Sequence, residues 1–208
     1  MALHKYDWST IPEELWRLFS YDIELSIKIK FMKEAIHEAK KSYKGFSDGA
    51  QCGAIIVNNE TIIARGHRRV IYPITEGKTN IIHAEQAALS EAGTYAKGSD
   101  LYVTLEPCFE RGTKDWFETY LPCSTIIPET GVKRVIIGLV DKYTQTYGKG
   151  IKHLVESGIK VEFVYCGLEK QLFDLVKNGN FYAPHPSAIF NDTTQFLCGL
   201  PIIKGHNL

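Results

Sequence analysis

A histidine, a glutamate and two cysteines stand in three short runs of this chain: His83-Ala84-Glu85, Glu106-Pro107-Cys108 and Pro122-Cys123. One imidazole and two thiolates make up the donor set of a catalytic zinc ion. Such an ion takes about three protein ligands and keeps a fourth position open for water. Zinc brings the pKa of a bound water from about 15.7 down to roughly 7, so hydroxide is available at neutral pH. A carboxylate two residues from a ligand histidine can reach that water without binding the metal. It would take the water's proton, hand it to a ring nitrogen and later protonate a departing amine. Each run on its own says little. A lone His-x-Glu has many chance matches, and a lone cysteine is more often a buried small hydrophobe. The weight lies in the joint order of His-x-Glu, then Pro-Cys, then a second Cys.

These residues need elements to hold them. Residues 83–92 read as a helix ending near Gly93, which puts His83 and Glu85 at its start. Residues 101–105 form a short apolar run of buried-strand type, so Cys108 follows a strand, and Cys123 stands before a predicted helical turn. A helix start suits a thiolate, because the dipole and free N–H groups lower the cysteine pKa. Upstream, Ile23, Ile27, Phe31, Ala35 and Ala39 recur every four residues, and Met32 and Ile36 widen the stripe. That predicts an amphipathic helix over 22–43, ending near Gly45. A β-branched run at 52–57, a turn at Asn58-Asn59 and a second run from Thr61 predict a hairpin. Residues 68–80, with Pro73 and Gly77, read as a loop, as do residues 106–122. Further on come a strand at 135–140, a helix at 150–157, a strand at 159–164 and a helix at 168–177. This alternation predicts an α/β fold with a mostly parallel sheet and helices on both faces.

Three segments follow from this reading. Residues 1–21, with the helix-start signal Thr10…Pro12-Glu13-Glu14, are expected to form a short helical extension. Residues 22–178 form the main domain. Residues 179–208 carry Pro184, Pro186 and Pro201 and are assigned no regular structure.

Composition narrows the classes. The chain has 208 residues, 44% of them hydrophobic, enough for one domain with an ordinary core. Lys+Arg and Asp+Glu stand at 24 each, so the formal charge is zero. A protein that binds polyanions usually has a basic excess, so the balance argues against a nucleic-acid partner. No signal peptide and no apolar run of about 18 residues is recognised, so no membrane association is expected. The five cysteines (Cys52, Cys108, Cys123, Cys166 and Cys198) show no disulfide framework. They fit a reducing, cytoplasmic setting. Cys52 and Cys166 sit in apolar strand contexts and read as core.

The His-x-Glu…Pro-Cys…Cys order is the signature of zinc deaminases that hydrolyse an amine from a base. The stretch from about Phe31 to Gly179 resembles the cytidine deaminase superfamily, and within it the deaminase of riboflavin biosynthesis. That enzyme acts on diaminohydroxyphosphoribosylaminopyrimidine. The matching residues are Gly66-His67, His83-Ala84-Glu85, Tyr102-Val103-Thr104-Leu105-Glu106-Pro107-Cys108, Pro122-Cys123, Gly131-Val132-Lys133-Arg134-Val135, Asp141, Gly148-Lys149-Gly150-Ile151 and Gly158-Ile159-Lys160-Val161. The resemblance implies a three-layer α/β/α sandwich around a five-stranded mixed sheet. It implies Zn2+ held by His83, Cys108 and Cys123, with Glu85 as the proton carrier. It also implies a small nucleotide or base substrate, met by His67, Ala84, Glu106 and Asp141, with Gln51 and Phe109 at neighbouring positions. A homo-oligomer, at its simplest a dimer, is expected. At this length no room remains for the reductase domain of some riboflavin enzymes, so a stand-alone deaminase is expected.

The departures from the family concern the substrate. The family carries Asn-Pro before the first core strand, and that Asn is expected to grip the pyrimidine; this chain has Gly49-Ala50, flanked by Asp48 and Gln51. The family's Asp-Pro-Asn-Pro reads Asp141-Lys142-Tyr143-Thr144 here, and its Ser-His after the first ligand cysteine is Phe109-Glu110. Fourteen residues separate Cys108 from Cys123, including Arg111, Lys114, Trp116, Phe117 and Tyr120, where the family has a short loop. Those aromatics read equally as a lid over a ring or as the core of the inserted loop. Lys142 and Lys149 suit a phosphate or a solvated face, and Gly148-Lys149-Gly150 before a helix is a candidate anion site. A buried polar grip gives the most discrimination, so losing two Asn points to a changed substrate or to other groups holding the same ring. Another nucleoside, base or specialised metabolite is the alternative substrate, with RNA or DNA ranked behind it on the charge balance.

Overall fold

Ala54 and Ile56 of the first strand bury on one side of the sheet, and Ile55 and Val57 on the other. That two-residue alternation sets the layering of the molecule. The computed structural model describes residues 13–44, 50–75, 78–109, 121–141, 148–164, 167–176, 181–182 and 195–196.

β1 (Gly53–Asn58) and β2 (Thr61–His67) form an antiparallel hairpin. Its turn residues Asn59 and Glu60 take positive φ of 46° and 57°. Such paired left-handed residues match the strand twist of a tight hairpin. β1 then pairs antiparallel with β5 (Asp100–Leu105), while β5, β6 (Arg134–Asp141) and β7 (Lys160–Phe163) run parallel. The central sheet β2-β1-β5-β6-β7 is therefore mixed, with two antiparallel and two parallel pairings. The expectation of a mostly parallel sheet falls short because the hairpin docks as a unit, reversed against β5. Two-residue strands from the tail, β8 (Phe181–Tyr182) and β9 (Gln195–Phe196), add to β6 and β7.

α2 (Ala84–Ala92), α3 (Cys123–Glu129) and α4 (Lys149–Glu156) cover one face, packing Ala84, Ala88, Ile127, Ile151 and Leu154 on Val103, Val135 and Ile137. α1 (Glu13–Ala39) and α5 (Glu169–Asp174) cover the other, with Phe31, Met32, Ala35, Ile36 and Leu172 on Ile55, Tyr102 and Ile136. The three-layer α/β/α expectation holds.

Three local expectations change. α1 runs unbroken from Glu13, so where the structure describes them the helical extension expected before residue 22 and the helix expected after it are one element. Its apolar stripe does not begin at Ile23, which is 61% exposed; Lys28 is buried instead and pairs with the fully buried Glu162 at 2.8 Å. The helix closes at Ala39 through tightening bonds from Lys41 N–H to the Glu38 carbonyl and Ser42 N–H to the Ala39 carbonyl. The loop expected at 68–80 is mostly a second hairpin, β3 (Arg69–Thr75) with β4 (Lys78–Ile82). Pro73 lies where the register shifts between Ile71 and Thr75. A two-stranded sheet has no central strand, and proline is tolerated at an edge or irregularity.

Gly66 lets α2 lie against β2. A Cβ there would run into the Ala84 carbonyl and the Ala88 amide. Gly66→Ala is expected to cost about 1–3 kcal/mol through overpacking. A urea midpoint equal to that of the parent protein would refute the close contact.

Candidate metal centre

The C-terminal end of β5, the C-terminal end of β6, the start of β1 and the end of β2 lie at one end of the sheet, because Gly53 pairs with His67, Ala54 with Val103, and Leu105 with Leu139. Beyond β5 the chain leaves through Glu106-Pro107-Cys108. α2 starts with His83 as its N-cap, in extended conformation (φ −77°, ψ 156°), and α3 starts at Cys123.

These three starts converge. His83 Nδ1 lies 3.4 Å from Cys108 Sγ and 3.5 Å from Cys123 Sγ. All three donor atoms lie within 4.8 Å of one another. A tetrahedral ion with ligands at about 2.0–2.3 Å sets neighbouring N and S donors about 3.5 Å apart. The spacing thus fits such an ion. Neither cysteine is in a disulfide. The Cys123 N–H donates to Cys108 Sγ at 3.3 Å, and the Ser124 N–H to the Cys108 carbonyl at 3.1 Å, so the start of α3 grips the Cys108 segment. The Cys108 thiol is pushed down to about 4, first by its hydrogen bond with the Cys123 side chain and then by His83, against the opposing effect of burial. A thiol held as thiolate at neutral pH is the form that binds metal.

Glu85 is the second residue of α2 and only 5% exposed. Burial pushes its carboxyl up to about 7, while His83 and a hydrogen bond with the Cys123 side chain work the other way. A group in that range both takes and gives protons near neutral pH.

The remaining expected site residues are placed as follows. Glu106, expected among the substrate contacts, has its carboxylate engaged by four backbone amides. Oε1 accepts from Gly150 (3.1 Å) and Ile151 (3.3 Å), and Oε2 from Gly148 (3.1 Å) and Asp141 (3.2 Å). Burial pushes its carboxyl up to about 8, while the Gly148, Ile151 and Asp141 amides work the other way. With two N–H donors on each oxygen, the ionised form is the one that satisfies all four. The candidate anion site at Gly148-Lys149-Gly150 is thereby filled by the protein's own carboxylate. Gly150 sits against the Pro107 carbonyl, where no Cβ fits.

Asp141 ends β6 and pairs with Phe181 of β8. Phe109 packs on α4, edge-on to His153 at 5.7 Å, with Lys149 Nζ 5.9 Å from its ring centre. His67 Nδ1 meets Glu38 of α1 at 2.8 Å, and Gln51 Nε2 reaches the Lys40 carbonyl at 3.5 Å. Ala84 is fully buried, its carbonyl facing Gly66. Asp48, Gly49, Glu110, Arg111, Lys114, Trp116, Phe117, Tyr120, Lys142, Tyr143, Thr144, Cys166 and Cys198 lie outside the described residues. Sequence reasoning passed over Gln86, whose side chain accepts from the His83 N–H at 3.2 Å. A Gln three residues after a helix cap was the available signal.

The model of the cytidine and deoxycytidylate deaminase zinc-binding region matches residues 25–139. The diaminohydroxyphosphoribosylamino-pyrimidine deaminase of Buchnera aphidicola subsp. Schizaphis graminum is 33% identical over 144 residues, 69% of this chain and 88% of its own length. The riboflavin biosynthesis protein RibD of Buchnera aphidicola subsp. Baizongia pistaciae is 37% identical over 133 residues, 64% of this chain and 32% of its own. This chain spans about a third of the length of the RibD relatives it matches. The structure of Acinetobacter baumannii RibD, form 2, superposes with a TM-score of 0.60 at 31% identity, over 74% of this chain and 39% of that one. The matched region runs from α1 into β6 and takes in all three runs that carry His83, Glu85, Cys108 and Cys123, so this chain belongs to the cytidine and deoxycytidylate deaminase family.

Proposed function

We propose that this chain is a zinc-dependent hydrolytic deaminase that removes an exocyclic amine from a pyrimidine-type nucleotide. The observation that carries the reading is the convergence of His83 Nδ1 with the Cys108 and Cys123 sulfurs beside the buried Glu85. In this reading His83, Cys108 and Cys123 hold the ion, and the deaminase unit lies within residues 22–178. Zinc, when bound, acts as a Lewis acid that makes a water-derived nucleophile available near neutral pH. Glu85 takes a proton from that water and delivers it to the ring nitrogen next to the reacting carbon. It then takes the hydroxyl proton of the addition product and passes it to the amine, which leaves as ammonia as the C–N bond breaks and the C=O bond forms. Its burial excludes bulk water and keeps it poised to exchange protons.

The relatives support a riboflavin-pathway pyrimidine as substrate, because the Buchnera deaminase is matched over nearly its whole length. The lost Asn residues of the family's ring grip, whose places are taken here by Gly49 and Tyr143, favour a second reading in which a related base or nucleotide is deaminated. No helix among the described residues is long and apolar enough to cross a membrane.

Ammonia release from the zinc-loaded protein separates the two readings. The panel is diaminohydroxyphosphoribosylaminopyrimidine, cytidine, deoxycytidylate and guanine. Turnover of the first supports the riboflavin-type activity; an inert first compound beside an active other one replaces it with the second reading. Ammonia from none of them overturns both.

A further inference from the structure

Gln86 lies three residues into the segment that carries the candidate ligand His83, and it is 8% exposed. Its side chain bonds in two directions. Oε1 accepts the His83 backbone N–H at 3.2 Å, and Nε2 donates to the Leu121 carbonyl at 3.4 Å. Leu121 stands two residues before Cys123. One amide group therefore ties the start of α2 to the approach to α3, across thirty-five residues of sequence.

We propose that Gln86 is a positioning residue that sets the distance between His83 and Cys123 before metal arrives. This role rests on the zinc reading above and on three features of the site. His83 is the N-cap of α2, so no preceding helical turn offers its N–H a carbonyl, and the Gln86 side-chain oxygen fixes that peptide. Cys123 is the first residue of α3, so the direction of its Cα–Cβ bond follows from residues 121–122, which Gln86 holds at the Leu121 carbonyl. Cys108 is coupled to Cys123 through the Cys123 N–H. Fixing the first and third donors therefore constrains the second. Groups that orient metal ligands without touching the ion typically change metal affinity by about 10–100-fold when removed.

Both halves of the device can be separated. Gln86→Leu removes acceptor and donor together. Gln86→Glu keeps an acceptor for the His83 N–H but has nothing to donate to the Leu121 carbonyl. The measurements are the zinc dissociation constant, by competition with a chromophoric chelator, and the melting temperature of the metal-free protein. A residue that only capped α2 would lower the melting temperature and leave zinc affinity unchanged. The expected result is a zinc Kd raised about 10–100-fold in Gln86→Leu and by a smaller factor in Gln86→Glu. Cobalt-loaded variants should also show altered ligand-field bands, which report donor geometry directly. The proposal is overturned if both variants hold zinc as tightly as the parent. If Gln86→Leu does not fold, Gln86→Glu decides alone, with parental affinity overturning the proposal. A parent protein that binds no zinc sinks the metal reading itself and this inference with it, whereas a zinc-binding parent with unaffected variants sinks only the role of Gln86.

Discussion

Glu85→Gln is expected to lower kcat by about two to four orders of magnitude and to leave the zinc content of the protein unchanged. The two side chains have the same shape, so packing at the start of α2 is kept. What is lost is the ability to take a proton and give it back. The three candidate ligand atoms belong to other residues, which is why metal content and turnover should separate. Stability should not fall either. Burial disfavours the charged form of Glu85, and a neutral amide is spared that cost. The checks are ammonia release, metal analysis and a melting curve on the same preparation. Turnover within tenfold of the parent would remove Glu85 from the chemistry. Loss of zinc together with activity would make it part of the metal's support instead of the proton carrier.

The candidate donors were legible in the sequence because each sits at a junction the sequence marks. His83 opens an alanine-rich, mostly buried helix, Cys108 follows an apolar strand, and Cys123 comes after a proline that starts a helix. Cys108 and Cys123 are distant in sequence from His83, yet strand ends and helix starts collect at the same end of a layered α/β sheet. The role of Glu106 was not legible. Its partners are backbone amides thirty-five to forty-five residues away, and an N–H group leaves no mark in residue type. The β3–β4 hairpin was missed because Pro73 and Gly77 are loop signals, and only pairing between its strands overrides them. Gln86 divides the same way. Its bond to the His83 N–H follows from local spacing, whereas its bond to the Leu121 carbonyl exists only once α2 and the approach to α3 come together.

Glu106→Ala is expected to destabilise the fold by about 3–5 kcal/mol. The carboxylate is 5% exposed and takes two amides on each oxygen, joining the end of β6 to the first residues of α4. Alanine removes every acceptor at once. Gly148, Gly150 and Ile151 are themselves buried, so their N–H groups gain no ready access to solvent. Water entering the vacated space can recover part of the loss, which keeps the figure below the sum for four orphaned donors. Glu106→Gln should fall between parent and alanine, because its oxygen still accepts while its NH2 turns a donor towards other donors. The loss should also reach the metal centre, because the Pro107 carbonyl packs against Gly150 and Cys108 follows directly. Urea unfolding at unchanged m tests the main claim. A Glu106→Ala midpoint within about 1 kcal/mol of the parent would mean that the four amides find other acceptors, and that the strut between β5, β6 and α4 is not what aligns Cys108.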